Sequence, residues 1–457
     1  MKLLNFKPSN SQTFKHNMNW HQLLSTKRFG QEAYHAKRND DRSEFQRDYD
    51  RLIFSAPFRR MQNKTQVFPL PGSVFVHNRL THSLEVACVG RSLGNSVVQK
   101  LQHNHPENPY LGEIGSIVSA ACLAHDMGNP PFGHSGEKAI ATYFSEGNGR
   151  ILETQMTAEQ WKDLICFEGN ANTFRLLTHQ FNGRREGGFV LTYSTLASVI
   201  KYPYSSIFSD IKKQKFGFFD AEKADFEKIA AELGIVRSAE NPNRYARHPL
   251  VYLVEAADDI CYQIMDIEDA HKLRILSTDE TINLFMGFFD EARQKRRRET
   301  MLLVSDRNEQ IAYLRSSVIG LLIEQCAEAF VANESAILEG KFNSTLIKIL
   351  PEISVNAYKI CSETAFRRIY RAPVVLDVEL AGYKIISTLL EHFIEAVLHP
   401  EKAYSKQLLY SIPEQFETHS TDNYHKIMAV LDYISGMTDI YALDLYRKIT
   451  GINIPGV

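Results

Sequence analysis

The segment 249–272 places two adjacent carboxylates, Asp258 and Asp259, inside an apolar helical pattern that begins with Pro249. Proline suits the first turn of a helix. The apolar residues recur at helical spacing, and they are Leu250, Leu253, Val254, Ala257, Cys261, Ile264 and Met265. A buried carboxylate is costly unless it is paired or coordinates an ion. The sequence therefore predicts a core helix whose acidic pair has a partner or a metal ion.

Helical periodicity also dominates the rest of the chain, notably at 311–332, 379–398 and 424–435. Strand signals are short. The best is 67–77, where two apolar runs flank Pro71-Gly72 and predict a β-hairpin. We therefore predict a mainly α fold with one short hairpin.

No repeat, low-complexity tract or obvious linker divides the 457 residues into independent domains. The predicted organisation is a core over 45–275 and a C-terminal helical region over 276–457 packed on that core, with residues 1–44 as an N-terminal arm. We expect the two larger regions to form one structural unit.

Charge is nearly balanced, with 52 Lys and Arg against 54 Asp and Glu, which argues against a protein that coats nucleic acid. The polar segment 30–50 is predicted to be a surface helix or arm. The basic run Arg293–Arg298 is expected to be a solvated helix face. Weak single-stranded DNA binding is the alternative prediction for this run.

The six cysteines are scattered, without a C-x-x-C pair. This spacing indicates neither a disulfide framework nor a thiolate zinc site, and it favours a reducing compartment. No stretch reaches the roughly 20 apolar residues that a membrane span needs. We predict a cytoplasmic protein without a membrane segment.

A candidate metal site comes from three separate segments. An apolar run ends at His125 and Asp126, where Gly128 and two prolines must break the helix. His82 lies near the start of another apolar helix, and one residue of the 258–259 pair completes the set. Two imidazoles and two carboxylates suit a hard or borderline divalent ion. The pattern alone does not choose between Asp258 and Asp259.

Six motifs together resemble those of HD-domain phosphohydrolases, and more narrowly the bacterial deoxyguanosine triphosphate triphosphohydrolase (dGTPase) family. They are NRLTHSLEV, AHDMGNPPFGHSGE, EAADDICYQIMDIEDA, FRRMQNKTQVFPL, FEGNANTFRLL and DYISGMTDIYAL. The resemblance extends from about residue 45 to about residue 445. It implies an HD-domain helical core and hydrolysis of a deoxynucleoside triphosphate (dNTP) at the α-phosphorus, which yields a deoxynucleoside and inorganic triphosphate.

The resemblance also implies residue roles. The metal ligands would be His82, His125, Asp126 and Asp258. Mg²⁺ or Mn²⁺ fits these ligands, and Fe²⁺, Zn²⁺ or Ni²⁺ would also bind two histidines. His134 and Glu137 would form the general acid–base pair. The implied substrate contacts are Gln66, Arg79, Asn129, Asn170, Lys201, Tyr202, Tyr262 and Asp266.

Among these contacts, Tyr262 would pack against the deoxyribose, and Asp266 and Gln66 would bind its 3′-hydroxyl. Helical register agrees, because Tyr262 and Asp266 follow Asp258 at i+4 and i+8. Arg79 would hold phosphate oxygens with its planar fork. Family members form symmetric oligomers, so we expect a homo-oligomer, with a hexamer as one form.

The base preference stays open between dGTP and other dNTPs. The family often has an arginine after MTD, where this chain has Ile440. Two other functions stay open as well. One is an HD nucleotidase that releases orthophosphate, and the other is a catalytically silent nucleotide or nucleic-acid sensor that uses Arg293–Arg298.

Overall fold

The computed structural model describes residues 17–33, 41–68, 76–210, 213–238 and 240–452. Within these ranges the chain forms twenty α-helices, numbered α1 to α20 in chain order. They are Trp20–Leu23, Glu44–Ile53, Ala56–Arg60, Arg79–Leu101, Ile114–Ala124, His134–Ser145, Ala158–Ile165, Gly169–Thr178, Tyr193–Val199, Lys223–Glu232, Val251–Lys272, Thr278–Met286, Glu291–Met301, Arg307–Ala332, Glu334–Leu338, Glu352–Thr364, Pro373–Leu398, Ala403–Leu409, Asn423–Ser435 and Asp439–Ile449. The mainly α prediction is confirmed.

Short 3₁₀ turns and one π-helical turn supplement these helices. The π turn is Ala365–Ile369. The 3₁₀ turns are Met61–Asn63, Leu111–Glu113, Asn148–Gln155, Ser206–Phe208, Asp220–Glu222 and Leu346–Ile349. In the described ranges, β pairing is limited to isolated bridges, one of which joins Thr65 to Asn78. Most of the predicted hairpin at 67–77 lies outside the described residues.

Local sequence signals set several helix boundaries. The predicted helix at 249–272 is observed as α11, which starts at Val251 two residues after Pro249. Capping boxes are present at the start of other helices. Ser43 and Gln46 form one at α2, and Ser277 and Glu280 form one at α12. Each box satisfies backbone N–H groups that the first helical turn leaves free.

Two hydrophobic clusters hold the helices together. The larger cluster is built around α4, α5, α11 and α14, with fully buried residues such as Leu93, Ile117 and Ile264. The second joins α6 to α17 and α19, through residues such as Phe144 and Phe393. Residues 139–171 thus pack against helices beyond residue 380. The domain boundaries at 45–275 and 276–457 remain a prediction.

A buried ion-pair network also connects α8 to α19. The Arg175 guanidinium on α8 donates two hydrogen bonds of 2.8 Å to the Asp432 carboxylate on α19. It also contacts Glu222, and all three side chains are nearly inaccessible to solvent. Because a buried charge without its partner is costly, this network constrains how α8 and α19 pack.

The segment 30–50, predicted to be a surface helix or arm, does contain the start of a helix, but part of that helix is buried. Its described C-terminal part begins α2, where Phe45 and Asp48 are fully buried. The Asp48 carboxylate is bound by Arg28 at 2.7 Å and by the Thr192 hydroxyl at 2.6 Å. The high average polarity of the segment predicted exposure, but the Asp48 carboxylate is buried because its partners lie inside the protein.

The basic run Arg293–Arg298 lies on α13, with most of its side chains exposed. It is therefore the solvated helix face that the sequence predicts. No helix in the described ranges is long and apolar enough to cross a membrane. All six cysteines are free thiols, and only Cys88 is exposed.

Candidate active site

Four predicted metal ligands converge from three helices. His82 projects from the first turn of α4, His125 and Asp126 follow the end of α5, and Asp258 lies in the second turn of α11. Ligand atoms of His82, His125 and Asp126 lie within 4.8 Å of one another. The Asp258 Oδ1 atom is 3.1 Å from His82 Nε2 and 3.5 Å from His125 Nε2. Because α5 ends at Ala124, the adjacent side chains of His125 and Asp126 can both point toward the candidate metal position.

The tautomer of His125 fits a metal ligand. Its Nδ1 atom lies 2.6 Å from the carbonyl oxygen of Cys122, which can only accept, so Nδ1 carries the proton. In the neutral imidazole the lone pair is therefore on Nε2. This atom is buried and has no hydrogen-bond partner among the described residues. An imidazole oriented by a backbone carbonyl, with its other nitrogen aimed at two carboxylates, is a common arrangement for a metal ligand.

The electrostatics of this cluster favour a cation. Burial raises the pKa of the Asp258 carboxyl, but both histidines outweigh burial and hold it well below its usual range. Burial lowers the pKa of His125, yet Asp126 and Asp258 raise it to about 9. The same negative field that retains a proton on the imidazole would attract a divalent ion, and the ion would displace that proton.

Asp126 is held on both oxygens. Its Oδ2 accepts from Arg79 at 2.6 Å, and its Oδ1 accepts from the Asn129 amide at 2.6 Å. Arg79 is buried, and within the described ranges its Nε atom has no hydrogen-bond partner. A Cβ at Gly133 would lie 2.6 Å from the Arg79 guanidinium, and φ there is +56°. Glycine at position 133 therefore leaves the guanidinium room to reach a ligand.

His134 and Glu137 form a pair on the first turn of α6. The His134 Nδ1 atom lies 2.7 Å from Glu137 Oε2, and the His134 side chain is 72% exposed. The hydrogen bond and the charge of Glu137 raise the pKa of His134. Glu137 also accepts from the Gly169 backbone N–H at 2.7 Å. Glu137 thus fixes the imidazole and leaves its Nε2 atom free.

The predicted sugar contacts lie around Tyr370, which the sequence did not single out. The Tyr262 and Tyr370 rings stack with centroids 5.9 Å apart, and the Tyr370 hydroxyl donates to Asp266 at 2.7 Å. Burial raises the pKa of Asp266 to about 8. The Gln66 amide oxygen is buried and has no hydrogen-bond partner in the part of the chain that the structure describes. Tyr262, Tyr370 and Gln66 line one cavity, and Asp266 lies behind Tyr370.

Lys201 and Tyr202 lie at another part of the same cavity. The Lys201 ammonium is 3.2 Å from Glu255, one helical turn before Asp258 on α11. Burial lowers the pKa of Lys201, but Glu255 raises it above its usual range. Asp259 lines the cavity near Lys201, whereas Asp258 contacts the imidazoles. The geometry therefore favours Asp258 over Asp259 as the fourth ligand.

Asn170 lines the cavity, and its side chain is hydrogen-bonded to Glu168 rather than capping a helix. Its side-chain amide donates to Glu168 Oε1, and Glu168 also pairs with Lys215. Both Asn170 and Lys215 line the cavity. Glu168 lies within the motif FEGNANTFRLL, but the sequence indicates a role for neither Glu168 nor Lys215, because a single acid or a single lysine carries little signal of a site.

C-terminal residues hold two loops of the site. The Asp439 carboxylate, at the start of α20, accepts from the Thr65 N–H at 2.8 Å and from the Phe132 N–H at 2.9 Å. The buried Lys64 ammonium donates to the Asn129 carbonyl at 2.6 Å and to the Ser435 carbonyl at 2.7 Å. Thr65 and Phe132 are neighbours of Gln66 and His134, so these bonds position predicted site residues.

The backbone of one of these loops is strained. Phe132 has φ +62°, which is uncommon for a non-glycine residue. Its ring packs where a Cβ at Gly382 on α17 would lie only 2.5 Å away. Ser135 donates to the Glu379 carbonyl at 2.6 Å. Several contacts with residues of α17 and α20 therefore hold the segment that carries His134 in this strained conformation.

The cavity that these residues line, called the site cavity below, has a volume of about 1030 Å³. Of the fourteen predicted site residues, twelve line it, and they are Gln66, Arg79, His125, Asp126, Asn129, His134, Glu137, Asn170, Lys201, Tyr202, Asp258 and Tyr262. His82 and Asp266 lie behind this lining. Ile440 is 47% exposed and is not among the lining residues.

His77 fastens the start of α4 to α11. Its Nδ1 atom is 2.8 Å from Asp269 and its Nε2 atom is 3.1 Å from Glu85. Burial lowers the pKa of His77, but the two carboxylates raise it to about 10. This charged contact lies on the side of α4 that also carries His82, and it sets the position of the first helical turn.

Two family models match the chain. The HD domain model matches residues 79–166, which contain His82, His125, Asp126 and the predicted acid–base pair of His134 and Glu137. A phosphohydrolase-associated domain model matches residues 351–448, which contain Tyr370 and Asp439.

Curated relatives match nearly the whole chain. A deoxyguanosinetriphosphate triphosphohydrolase-like protein from Synechocystis is 37% identical over 450 residues, which cover 96% of this chain and 100% of the relative. A protein with the same name from Pseudomonas aeruginosa is 38% identical over 460 residues, with 96% and 100% covered. A deoxyguanosinetriphosphate triphosphohydrolase from Yersinia enterocolitica is 31% identical over 488 residues, with 89% and 93% covered.

Proposed function

Since the chain belongs to the deoxyguanosinetriphosphate triphosphohydrolase family of HD-domain phosphohydrolases, we propose that it is a metal-dependent dNTP triphosphohydrolase. Its substrate would be dGTP or another dNTP. Hydrolysis would occur at the α-phosphorus and yield a deoxynucleoside and inorganic triphosphate.

The observation that carries this proposal is the convergence of two imidazoles and two carboxylates beside an arginine with unused donors. His82, His125, Asp126 and Asp258 would hold a divalent ion, of which Mg²⁺ and Mn²⁺ are the leading candidates. When bound, such an ion neutralises charge on phosphate oxygens and lowers the pKa of a bound water.

Arg79 and His134 would act on the phosphate and the leaving group. The Arg79 guanidinium, fixed by Asp126, would donate to phosphate oxygens from its remaining N–H groups. His134 would carry a proton on Nε2 and deliver it to the departing 5′-oxygen, and the raised pKa of His134 favours this protonated form. Glu137 would fix the imidazole and stabilise its charge.

Sugar selection would come from the tyrosine side of the site cavity. Tyr262 would cover the deoxyribose, leaving no room for a 2′-hydroxyl, and Gln66 would bind the 3′-hydroxyl with its free amide oxygen. Asp266 would reach the same hydroxyl after Tyr370 shifts or shares its hydrogen bond. Asn129, Asn170, Lys201 and Tyr202 would complete the phosphate surroundings.

The remaining parts of the proposal concern the cellular setting. We place the enzyme in the cytoplasm, because its six cysteines are free thiols. We also propose a homo-oligomer, with a hexamer as one form, and weak single-stranded DNA binding through the exposed basic face of α13. Gel filtration with light scattering and salt-dependent DNA titration test these two statements.

The test of the activity incubates the protein with each dNTP and with GTP, in Mg²⁺ or Mn²⁺, and resolves the products by ion-exchange chromatography. We expect a deoxynucleoside and triphosphate from at least one dNTP, and little product from GTP. In ¹⁸O-labelled water the label should enter the triphosphate. Orthophosphate as the product would identify a nucleotidase that acts on the terminal phosphate, and no turnover of any dNTP, alone or in mixtures, would favour a silent sensor.

Matched variants separate the metal site from general damage. Asp126→Ala should abolish hydrolysis, whereas Asp444→Asn, on the exposed side of α20, should not. Addition of metal ions to the chelator-treated protein should raise the melting temperature, by the equivalent of about 2.7 kcal/mol when the ion is at 100 times its Kd. Asp126→Ala should lack most of that shift. An equal shift in both proteins would place the ion elsewhere.

A further inference from the structure

A second cavity, called the rear cavity here, adjoins the site cavity. It has a volume of about 980 Å³. The described residues that line both cavities are Lys201, Tyr202, Lys213, Lys215, Glu255 and Asp259. The two cavities therefore share a wall of mostly charged side chains.

Helix α11 gives the direction of a substrate relative to this shared wall. Asp266 and Tyr262 lie toward its C-terminal end, Asp258 precedes them, and Glu255 with its partner Lys201 lies one turn further back. At 1.5 Å per residue, about 12 Å separates Asp266 from Asp258, and about 4.5 Å separates Asp258 from Glu255. Under the proposed function, a sugar at one end of this line directs the terminal phosphates toward Lys201 and the rear cavity.

The rear cavity has an excess of positive charge. Its described lining includes seven basic and four acidic side chains. One acid, Glu255, is already paired with Lys201 at 3.2 Å and with Arg247 at 2.9 Å. Lys348 and Lys359 line the rear cavity but not the site cavity, and both are exposed. Neither forms a salt bridge within the described part of the chain, although the charge of Lys348 favours the ionised form of Asp259. Unpaired lysines beside an open volume suit phosphate groups.

We propose that the rear cavity is an extension subsite for phosphates beyond the γ-phosphate, so that deoxynucleoside 5′-tetraphosphates are substrates as well as triphosphates. This inference rests on the proposed function. Water would add across the bond between the α-phosphorus and the 5′-oxygen, with its hydroxyl going to phosphorus and its proton to oxygen. The products would be a deoxynucleoside and inorganic tetraphosphate, and no other reactant is needed.

The first experiment compares the preferred dNTP with the corresponding deoxynucleoside 5′-tetraphosphate. We expect kcat/KM values within about threefold of each other, because the added phosphate stays in an open basic volume. Normal triphosphate hydrolysis with a tetraphosphate kcat/KM at least about 100-fold lower would mean a closed end beyond the γ-phosphate, and would overturn the inference alone. No hydrolysis of either compound would overturn the proposed function.

Variants of the two exposed lysines test the location. Lys348→Ala/Lys359→Ala should lower kcat/KM for the tetraphosphate by about tenfold at low salt, and leave the triphosphate within about twofold. The charge-matched control, Lys223→Ala/Lys406→Ala, removes two exposed lysines from α10 and α18 and should affect neither substrate. An equal effect on both substrates, or no effect on the tetraphosphate, would contradict an extension subsite at this cavity.

Discussion

Asp439 connects α20 to the two loops that carry Gln66 and His134, and its substitution tests whether the C-terminal helices position the site. Its two carboxylate oxygens accept from the backbone N–H groups of Thr65 and Phe132 at 2.8 and 2.9 Å. Asp439→Asn keeps one acceptor and turns an NH₂ group toward the other N–H. A hydrogen bond to a charged group contributes about 1.5–3 kcal/mol. One of the two bonds is lost, and the acceptor of the remaining bond is neutral rather than charged. We expect the free energy of unfolding to fall by about 2–4 kcal/mol.

Activity should fall with stability, because the freed loops carry predicted site residues. If half of that energy, about 1–2 kcal/mol, holds the loops in place, kcat/KM falls by about 5–30-fold, since each 1.4 kcal/mol corresponds to a factor of ten. Urea unfolding followed by circular dichroism measures the first quantity. Hydrolysis of the preferred dNTP at saturating metal, well below the unfolding midpoint, measures the second.

Asp444→Asn on the same helix is the control, because Asp444 is 43% exposed and pairs only with the exposed Lys448 in the described structure. It should change the free energy of unfolding by no more than about 0.5 kcal/mol. Asp439→Asn behaving like this control would refute the reasoning. A loss of stability with unchanged kcat/KM would show that Asp439 holds the fold but does not position the site.

Three further predictions concern ionisable side chains. Glu137→Gln removes the carboxylate that raises the pKa of His134, so the high-pH limb of the kcat/KM profile should move to lower pH; an unchanged profile would contradict the pair. Arg175→Met strands two buried carboxylates and should lower the free energy of unfolding by about 3–5 kcal/mol in urea, and a loss below about 1 kcal/mol would contradict it. Because the pKa of His77 is raised to about 10, its stabilisation is complete below about pH 6.5 and is lost as pH rises through 10. His77→Gln should therefore flatten the melting temperature over pH 6.5–10 relative to the unaltered protein, and parallel curves would count against this ion pair.

Features set by local sequence could be predicted well. The helix α11 follows from its apolar spacing and from Pro249, and the end of α5 at His125 follows from the glycine and prolines after it. The convergence of His82 with these residues could not be worked out from spacing, because it depends on how α4, α5 and α11 pack. Motif resemblance supplied that part of the prediction.

Long-range polar contacts could not be predicted. Asp439 lies 374 residues from Thr65 and 307 from Phe132, and no local pattern connects them. Tyr370 reaches Asp266 from 104 residues away. Asp48 was misjudged because a polar segment was treated by its average, although this one carboxylate has a buried arginine as its partner. Partners across the fold decide whether a charge is solvated or buried.

The uninterrupted helix α11 has a consequence for which bond can be cut. It carries the candidate ion ligand Asp258 and the candidate sugar contacts Tyr262 and Asp266 in one register, so the distance from the sugar to the attacked phosphorus is fixed by helix pitch. Under the proposed function, the cleaved linkage is chosen by length from the sugar rather than by the identity of the leaving group. A single residue inserted between Asp258 and Tyr262 would turn the sugar contacts by about 100° around the helix axis and separate recognition from cleavage, while leaving each set of side chains intact.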